Sequence, residues 1–115
     1  MTEKTLFERI IAREIPADIV FEDDDVLAFR DISPQAPTHI LVIPKKPIAM
    51  LSDISSSDCA LMGKMVYACT LVAKEMGLDE DGYRVVINNG ANACQTVFHL
   101  HMHVLGGRGF SWPPG

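Results

Sequence analysis

The sequence has few cysteines, no excess of positive charge and no long apolar run. Its three cysteines, Cys59, Cys69 and Cys94, lack the short paired spacings of a disulfide framework or a cysteine zinc site. The formal net charge of −5 argues against a general nucleic-acid binder, which would carry a basic face. No stretch approaches the roughly 20 apolar residues of a membrane span, and no apolar signal core follows the first residues. These absences predict a cytoplasmic protein whose partners are neither nucleic acid nor membrane.

The most informative stretch is His99-Leu100-His101-Met102-His103-Val104-Leu105, in which three histidines alternate with apolar residues. Successive side chains of an extended strand point to opposite faces. The spacing therefore predicts one strand with His99, His101 and His103 on one face and core residues on the other. Ordinary packing does not call for three adjacent imidazoles, so we interpret the histidine face as a functional site.

Hydrophobic periodicity predicts two helices and five strands. The helices would cover Thr5 to Glu14 and about Asp58 to Met76. We expect Thr2 or Thr5 to cap the first, Ser57 to cap the second, and Gly77 to end it. The strands would cover Ile19–Glu22, Val26–Arg30, Thr38–Pro44, Tyr83–Asn88 and the histidine stretch. Short connections favour an antiparallel sheet, so the predicted fold class is α+β. One long helix, plus a short N-terminal helix, would cover a five-stranded sheet in a single domain over residues 1–115.

Three roles are open to the histidine row. The first is zinc binding, with His39 or a carboxylate as a further ligand. Three same-face histidines in a straight strand span about 14 Å, however, which is far for one ion. The second is nucleophilic catalysis at phosphorus, with His101 in the middle and its neighbours positioning phosphate and moving protons. The third is a histidine-lined strand that only binds a partner and does no chemistry.

A loop of small and polar residues, Asn89 to Thr96, leads directly into this row. Its backbone N–H groups and the Thr96 hydroxyl could stabilise the charge that develops on phosphoryl oxygens. His39 begins an apolar run, where a lone histidine is usually structural. In a chain that also carries a histidine row, we count it among the candidate site residues.

The pattern His-φ-His-φ-His-φ-φ resembles the signature of the histidine triad (HIT) superfamily. Further segments resemble its histidine triad nucleotide-binding (HINT) branch: residues 31–39, 42–46, 95–99, 104–108 and 112–115. The likeness runs from about Ile15 to Gly115. It implies a HIT-like fold, and the Trp-Pro-Pro-Gly ending favours the HINT branch over the dinucleotide polyphosphate hydrolases.

The resemblance implies a purine nucleoside phosphoramidase. Such an enzyme hydrolyses the P–N bond of adenosine 5′-phosphoramidates to AMP and an amine through a covalent nucleotidyl-histidine. Aminoacyl-adenylate hydrolysis is implied as a related activity. No metal or other cofactor is implied, and the partners would be the purine nucleotide and a second copy in a homodimer. The alternatives are a non-catalytic nucleotide-binding scaffold and a dinucleotide polyphosphate hydrolase.

The resemblance also assigns roles by position. His101 would be the nucleophile, His103 would lie beside the α-phosphate, and His99 and His39 would support them. The nucleotide-binding residues implied are Asp31 for ribose, Ile32 for the base, and Asn88, Gln95, Thr96 and Val97 for phosphate, together with His101 and His103. Trp112 would reach the partner subunit's site. The chain departs from the family pattern at Pro47, Cys94, Thr96 and residues 109–111.

Overall fold

The computed structural model describes residues 3–115. Its two α-helices are α1 (Leu6–Ile11) and α2 (Cys59–Glu75), and its strands are β1 (Ile19–Glu22), β2 (Val26–Arg30), β3 (Thr38–Pro44), β4 (Tyr83–Val86) and β5 (Met102–Gly106). The strands form one antiparallel sheet in the order β1-β2-β3-β5-β4. The predicted α+β fold is confirmed, and β1, β2 and β3 have the predicted bounds. No helix among these residues is long and apolar enough to cross a membrane.

The sheet is buried on both faces because each helix covers one of them. On the first face, Ile40, Val42 and Met102 pack with the apolar side of α2. On the other, Leu41 and Ile43 pack with Phe7 and with the rest of α1's apolar side. The central strand β3 therefore reads as an almost continuous apolar run, since both sets of its side chains lie in a core.

The N-termini of the two helices are capped in different ways. Thr5 caps α1: its hydroxyl accepts the Glu8 N–H (3.1 Å), and the Glu8 carboxylate accepts the Thr5 N–H (3.2 Å). The alternative cap, Thr2, lies outside the described residues. The prediction that Ser57 caps α2 is wrong, because Ser57 lies within a short 3₁₀ helix and Asp58 directly precedes α2. Gly77 follows α2 with a φ of +72°, as predicted.

The histidine strand is shorter than predicted. β5 begins at Met102, and residues 99–101 precede it as an irregular segment. Here the Leu100 N–H donates to the Ile48 carbonyl (2.7 Å), so this backbone bonds to the segment after β3 rather than to β3 itself. β4 ends early for a related reason. Val86 pairs with His103, close to the start of β5, and the chain beyond Val86 has no strand to pair with.

Candidate active site

A cavity of about 240 Å³ opens on the side of the sheet that α1 covers. Among the predicted site residues, it is lined by Asp31, Ile32, Thr96, Val97, His101 and His103. Its apolar walls include Leu6, Phe7, Ile10, Ile15, Phe29 and Leu41. The alternation of side chains thus holds for the row although its first half is not a strand. Leu100, Met102 and Val104 lie in the α2 core, opposite the cavity.

The imidazole of His101 is oriented by a main-chain carbonyl. Its Nδ1 lies 2.7 Å from the carbonyl oxygen of His99. A carbonyl only accepts hydrogen bonds, so Nδ1 carries the hydrogen and Nε2 keeps its lone pair. The Phe7 ring packs nearly perpendicular to the imidazole, with 5.0 Å between ring centroids. Burial lowers the pKa of His101, which keeps the ring neutral and the lone pair free at neutral pH.

A second chain of hydrogen bonds fixes the tautomers of His39 and His103. The Gln35 main-chain N–H donates to His39 Nδ1 (3.0 Å), so neutral His39 carries its hydrogen on Nε2. His39 Nε2 in turn lies 2.8 Å from His103 Nδ1 and donates to it. The remaining hydrogen of His103 is therefore on Nε2. Within residues 3–115, this Nε2 is the one buried side-chain nitrogen or oxygen without a hydrogen-bond partner.

The two cavity-lining histidines consequently have opposite tautomers. His101 has a free lone pair on Nε2, whereas His103 has an N–H there. Their ring centroids are 5.0 Å apart. Burial, together with the neighbouring His101 and His39, lowers the pKa of His103 to about 4, and Asp31 opposes the shift. Burial also lowers the pKa of His39, so all three rings are neutral near pH 7.

Asp31 lies at the edge of this arrangement. One carboxylate oxygen accepts the Ser33 N–H (2.7 Å), and the other lies 3.5 Å from His39 Nε2. Because burial keeps His39 neutral, the contact between Asp31 and His39 is not a formal ion pair at neutral pH. The Asp31 side chain is partly exposed and also lines the cavity. It can therefore contact a ligand and the histidines together.

Asp31, His39 and His103 also bring potential metal-ligating atoms within 4.8 Å of one another. Two nitrogens bound to one tetrahedral zinc lie on the order of 3.3 Å apart, given bonds of about 2.0 Å. The 2.8 Å separation between His39 and His103 is shorter than this and matches a hydrogen bond. The arrangement fits a proton-sharing chain and does not fit a bound metal without rearrangement.

Five predicted site residues lie outside the cavity lining: His39, described above, and His99, Gln95, Asn88 and Trp112. His99 is fully buried and donates from Nε2 to the Pro44 carbonyl (2.7 Å). The Gln95 side-chain amide donates to the Ala49 and Val97 carbonyls, and its oxygen accepts the Gly90 N–H. This amide has three main-chain partners, so Gln95 holds the loop in shape, and its direct contact with phosphate stays a prediction.

Asn88 and Trp112 complete the set of predicted residues outside the cavity lining. Asn88 is partly buried beyond the end of β4 and is not among the lining residues. Trp112 is 82% exposed, with the Arg84 guanidinium 5.9 Å from its ring. Cys94 has a φ of +65°, the left-handed region that favours glycine. This conformation gives a physical reason for the glycine that the family pattern has there.

Sequence reasoning missed two kinds of contributor. Phe7 and Ile10 belong to an apolar helical stripe, which predicts burial but not contact with a site. The carbonyls of His99 and Pro44 and the N–H of Gln35 are main-chain groups, so no residue type marks them. The apolar side of α1 facing the histidine row is the one signal that could have indicated the cavity wall.

The protein is thus a small α+β protein with a histidine-based site. Its antiparallel sheet places two imidazoles in one cavity, with the hydrogen on Nδ1 of His101 and on Nε2 of His103. The family model described as "HIT domain" matches residues 12–110, and the chain belongs to this family. It is 53% identical over 113 residues to a "14 kDa zinc-binding protein" of Zea mays, with 96% of this chain and 88% of that protein covered.

Two further comparisons bear on the activity. The chain is 51% identical over 113 residues to "Adenylylsulfatase HINT1" of Arabidopsis thaliana, covering 96% of this chain and 76% of that protein. Among solved structures, a HIT family hydrolase from Legionella pneumophila matches with a TM-score of 0.95 and 49% identity. That match covers 97% of this chain and all of the other.

Proposed function

We propose that the protein is a hydrolase that cleaves the P–N bond of purine nucleoside 5′-phosphoramidates, releasing the nucleoside monophosphate and an amine. The observation that carries this proposal is the pair of opposite tautomers in the cavity. His101 Nε2 is a neutral nucleophile, and the unpartnered His103 N–H is a hydrogen-bond donor beside it. Substitution at phosphorus needs both groups.

In the first step, the His101 Nε2 lone pair forms a bond to phosphorus while the P–N bond breaks. The leaving nitrogen takes up a proton from the solvent and departs as the amine. The imidazole of the resulting nucleotidyl-histidine carries positive charge, which the His99 carbonyl stabilises through the hydrogen on Nδ1. In the second step, water attacks phosphorus and loses a proton to the solvent, the P–Nε2 bond breaks, and AMP leaves with His101 neutral again. The His103 N–H and the neighbouring Thr96 and Val97 groups would bind the phosphoryl oxygens.

The cavity walls suit a nucleoside. Leu6, Phe7 and Ile10 provide apolar surface for a purine, and Ile32, which is 94% exposed, would be covered by a bound base. The partly exposed Asp31 carboxylate is available to accept hydrogen bonds from ribose hydroxyls.

We further propose that the protein is a homodimer joined along β4. β4 is an edge of the sheet, and Val85 on it is exposed, as are Val66 and Tyr67 on α2. An open strand edge beside exposed apolar side chains is typical of a strand-pairing interface. Trp112 would then lie close to the partner subunit's site. Light scattering would test this assembly, and a monomeric mass at micromolar concentration would contradict it.

The relative named adenylylsulfatase supports a second candidate substrate, adenylyl sulfate. The same attack by His101 on the α-phosphorus would release sulfate in place of an amine. The two activities share the nucleotidyl intermediate and differ only in the group that leaves.

The deciding experiment is a panel of adenosine 5′-phosphoramidate, adenylyl sulfate and a diadenosine polyphosphate, scored by release of AMP. We expect turnover of the phosphoramidate and none by His101→Ala. Tight AMP binding without turnover of any substrate would favour the scaffold alternative. Turnover of the diadenosine compound alone would favour the dinucleotide hydrolase.

A further inference from the structure

The loop between β2 and β3 holds both nitrogens of His39. At Nδ1, the Gln35 N–H occupies the lone pair. At Nε2, the Asp31 carboxylate lies 3.5 Å away, beside the hydrogen that His39 shares with His103. We call the Gln35–His39–His103 hydrogen-bond chain the relay. This one loop determines which nitrogens of the relay carry hydrogen, and it also places the Asp31 carboxylate beside the relay.

The relay cannot take up a second proton without losing a hydrogen bond. A proton added at His39 Nδ1 would face the Gln35 N–H, and one added at His103 Nδ1 would face the His39 N–H. A carboxylate beside the shared hydrogen offsets this cost by stabilising the protonated pair. Asp31 is placed to do so, and it also lines the cavity.

The groups that act electrostatically on this pair are few. Asp31 comes from the loop before β3, and His101 comes from the segment before β5. Arg108 bonds to the Gln35 carbonyl (3.2 Å) and thereby braces the same loop. Phe7 faces His101 from α1 without charge. Among the charged side chains that act on the pair, only the Asp31 carboxylate is both beside the relay and open to a ligand.

On this basis, and resting on the proposed function, we propose that Asp31 is a positioning residue of the relay. Ribose hydroxyls that donate to its carboxylate would weaken the negative charge felt by His39 and His103. Recognition of the sugar would thereby set the protonation of the groups that face the phosphate. The ligand class that operates this coupling is a 5′-nucleotide with free 2′ and 3′ hydroxyls.

The first test needs no turnover. The histidine ring protons are followed by NMR between pH 8 and pH 2.5 in the ligand-free wild type, in Asp31→Asn and in Asp24→Asn, a matched variant at an exposed acid of the β1–β2 turn. In Asp31→Asn we expect the relay titrations to move to lower pH by about one unit. His99, whose pKa is set by burial, the Pro44 carbonyl, Glu8 and His101, is expected to move less than the relay, and the Asp24→Asn protein is expected to match the wild type. Unchanged titrations in Asp31→Asn would overturn the proposal.

The second test adds ligand. AMP and 2′,3′-dideoxy-AMP carry the same phosphate, so a difference between their saturated complexes reports the sugar hydroxyls. We expect the relay to titrate at lower pH with AMP, and we expect the difference to vanish in Asp31→Asn. Identical titrations in wild type, or a difference that persists in Asp31→Asn, would contradict the coupling. Asp31→Glu, which keeps the charge, is expected to restore part of the ligand-free shift if Asp31→Asn folds poorly.

These outcomes can be separated from failure of the proposed function. If the substrate panel releases no AMP, the hydrolase is excluded, while the ligand-free titrations still report whether Asp31 acts on the relay. If AMP is released but the titrations do not move, the hydrolase stands and the coupling falls.

Discussion

The ring of His39 lies 2.8 Å from the ring of His103, nitrogen to nitrogen, and one hydrogen is shared between them. Since the Gln35 N–H already occupies the other nitrogen of His39, this hydrogen belongs to His39. His103 therefore presents an N–H beside the lone pair of His101. The chemistry proposed for the cavity follows from this fixed order of donors and acceptors.

Replacing His101 with alanine should remove the nucleophile without removing the nucleotide pocket. We expect phosphoramidate turnover to fall by about a thousandfold or more, because no other imidazole in the cavity has a free lone pair. AMP binding, measured by calorimetry, should persist. Normal turnover by His101→Ala would exclude the covalent mechanism.

Stability should depend on pH through the buried histidines. Burial lowers the folded-state pKa of His103 to about 4, against about 6.5 in the unfolded chain. Between these values the unfolded state binds more protons, so stability is full above pH 6.5 and falls as the pH drops toward 4. His39, His99 and His101 shift in the same direction and add to the slope.

The measurement is the urea midpoint at several pH values from 7.5 to 4.5. We expect the midpoint to fall with pH in the wild type and to fall less steeply in His103→Asn. A midpoint that is flat across this range would contradict the assignment of neutral, buried imidazoles.

Glycine substitutions at two exposed cysteines should change the free energy of unfolding in opposite directions. Cys94 has a φ of +65°, which costs a residue with a Cβ on the order of 1 kcal/mol, so Cys94→Gly should raise the free energy of unfolding. Cys59 begins α2 with a φ of −58°, where Cys59→Gly should lower it by about 0.5 kcal/mol. Denaturant unfolding of both variants measures the contrast, and equal signs would refute the strain at Cys94.

Turnover should not require a metal. The His39–His103 contact is a hydrogen bond at a distance too short for two zinc ligands. We expect the rate of phosphoramidate hydrolysis to be unchanged after dialysis against a chelator. Zinc that remains at one equivalent per chain, with activity lost on its removal, would support the metal alternative.

Much of the fold follows from local sequence patterns. Thr38 to Pro44 is rich in β-branched residues and forms β3 with the predicted bounds. The start of β5 was not predictable because alternation continues through His99 to Met102, whereas the main chain there bonds to Ile48. Only a contact distant in sequence ends the strand, and periodicity carries no information about such contacts.

The sequence was sufficient to predict which side chains belong to the candidate site, but not which hydrogen bonds those side chains make. The histidine row marks His101 and His103, and the structure brings both to the cavity with Asp31, Ile32, Thr96 and Val97. Residue type predicts a phosphate contact for Gln95, and in the structure its amide bonds to three main-chain groups. Polar residue type alone does not show whether a side chain faces a ligand or its own loop.

The anchors of three of the four histidine rings are main-chain atoms: the Gln35 N–H for His39, the His99 carbonyl for His101 and the Pro44 carbonyl for His99. Every amino acid supplies a carbonyl, and every one except proline supplies an N–H. A substitution at position 35 would lose the bond from the Gln35 side chain to the Ser33 carbonyl (3.0 Å) but would keep the main-chain N–H that orients His39. Proline is therefore the one residue that we expect to be incompatible with position 35, since its ring leaves no N–H to donate to His39.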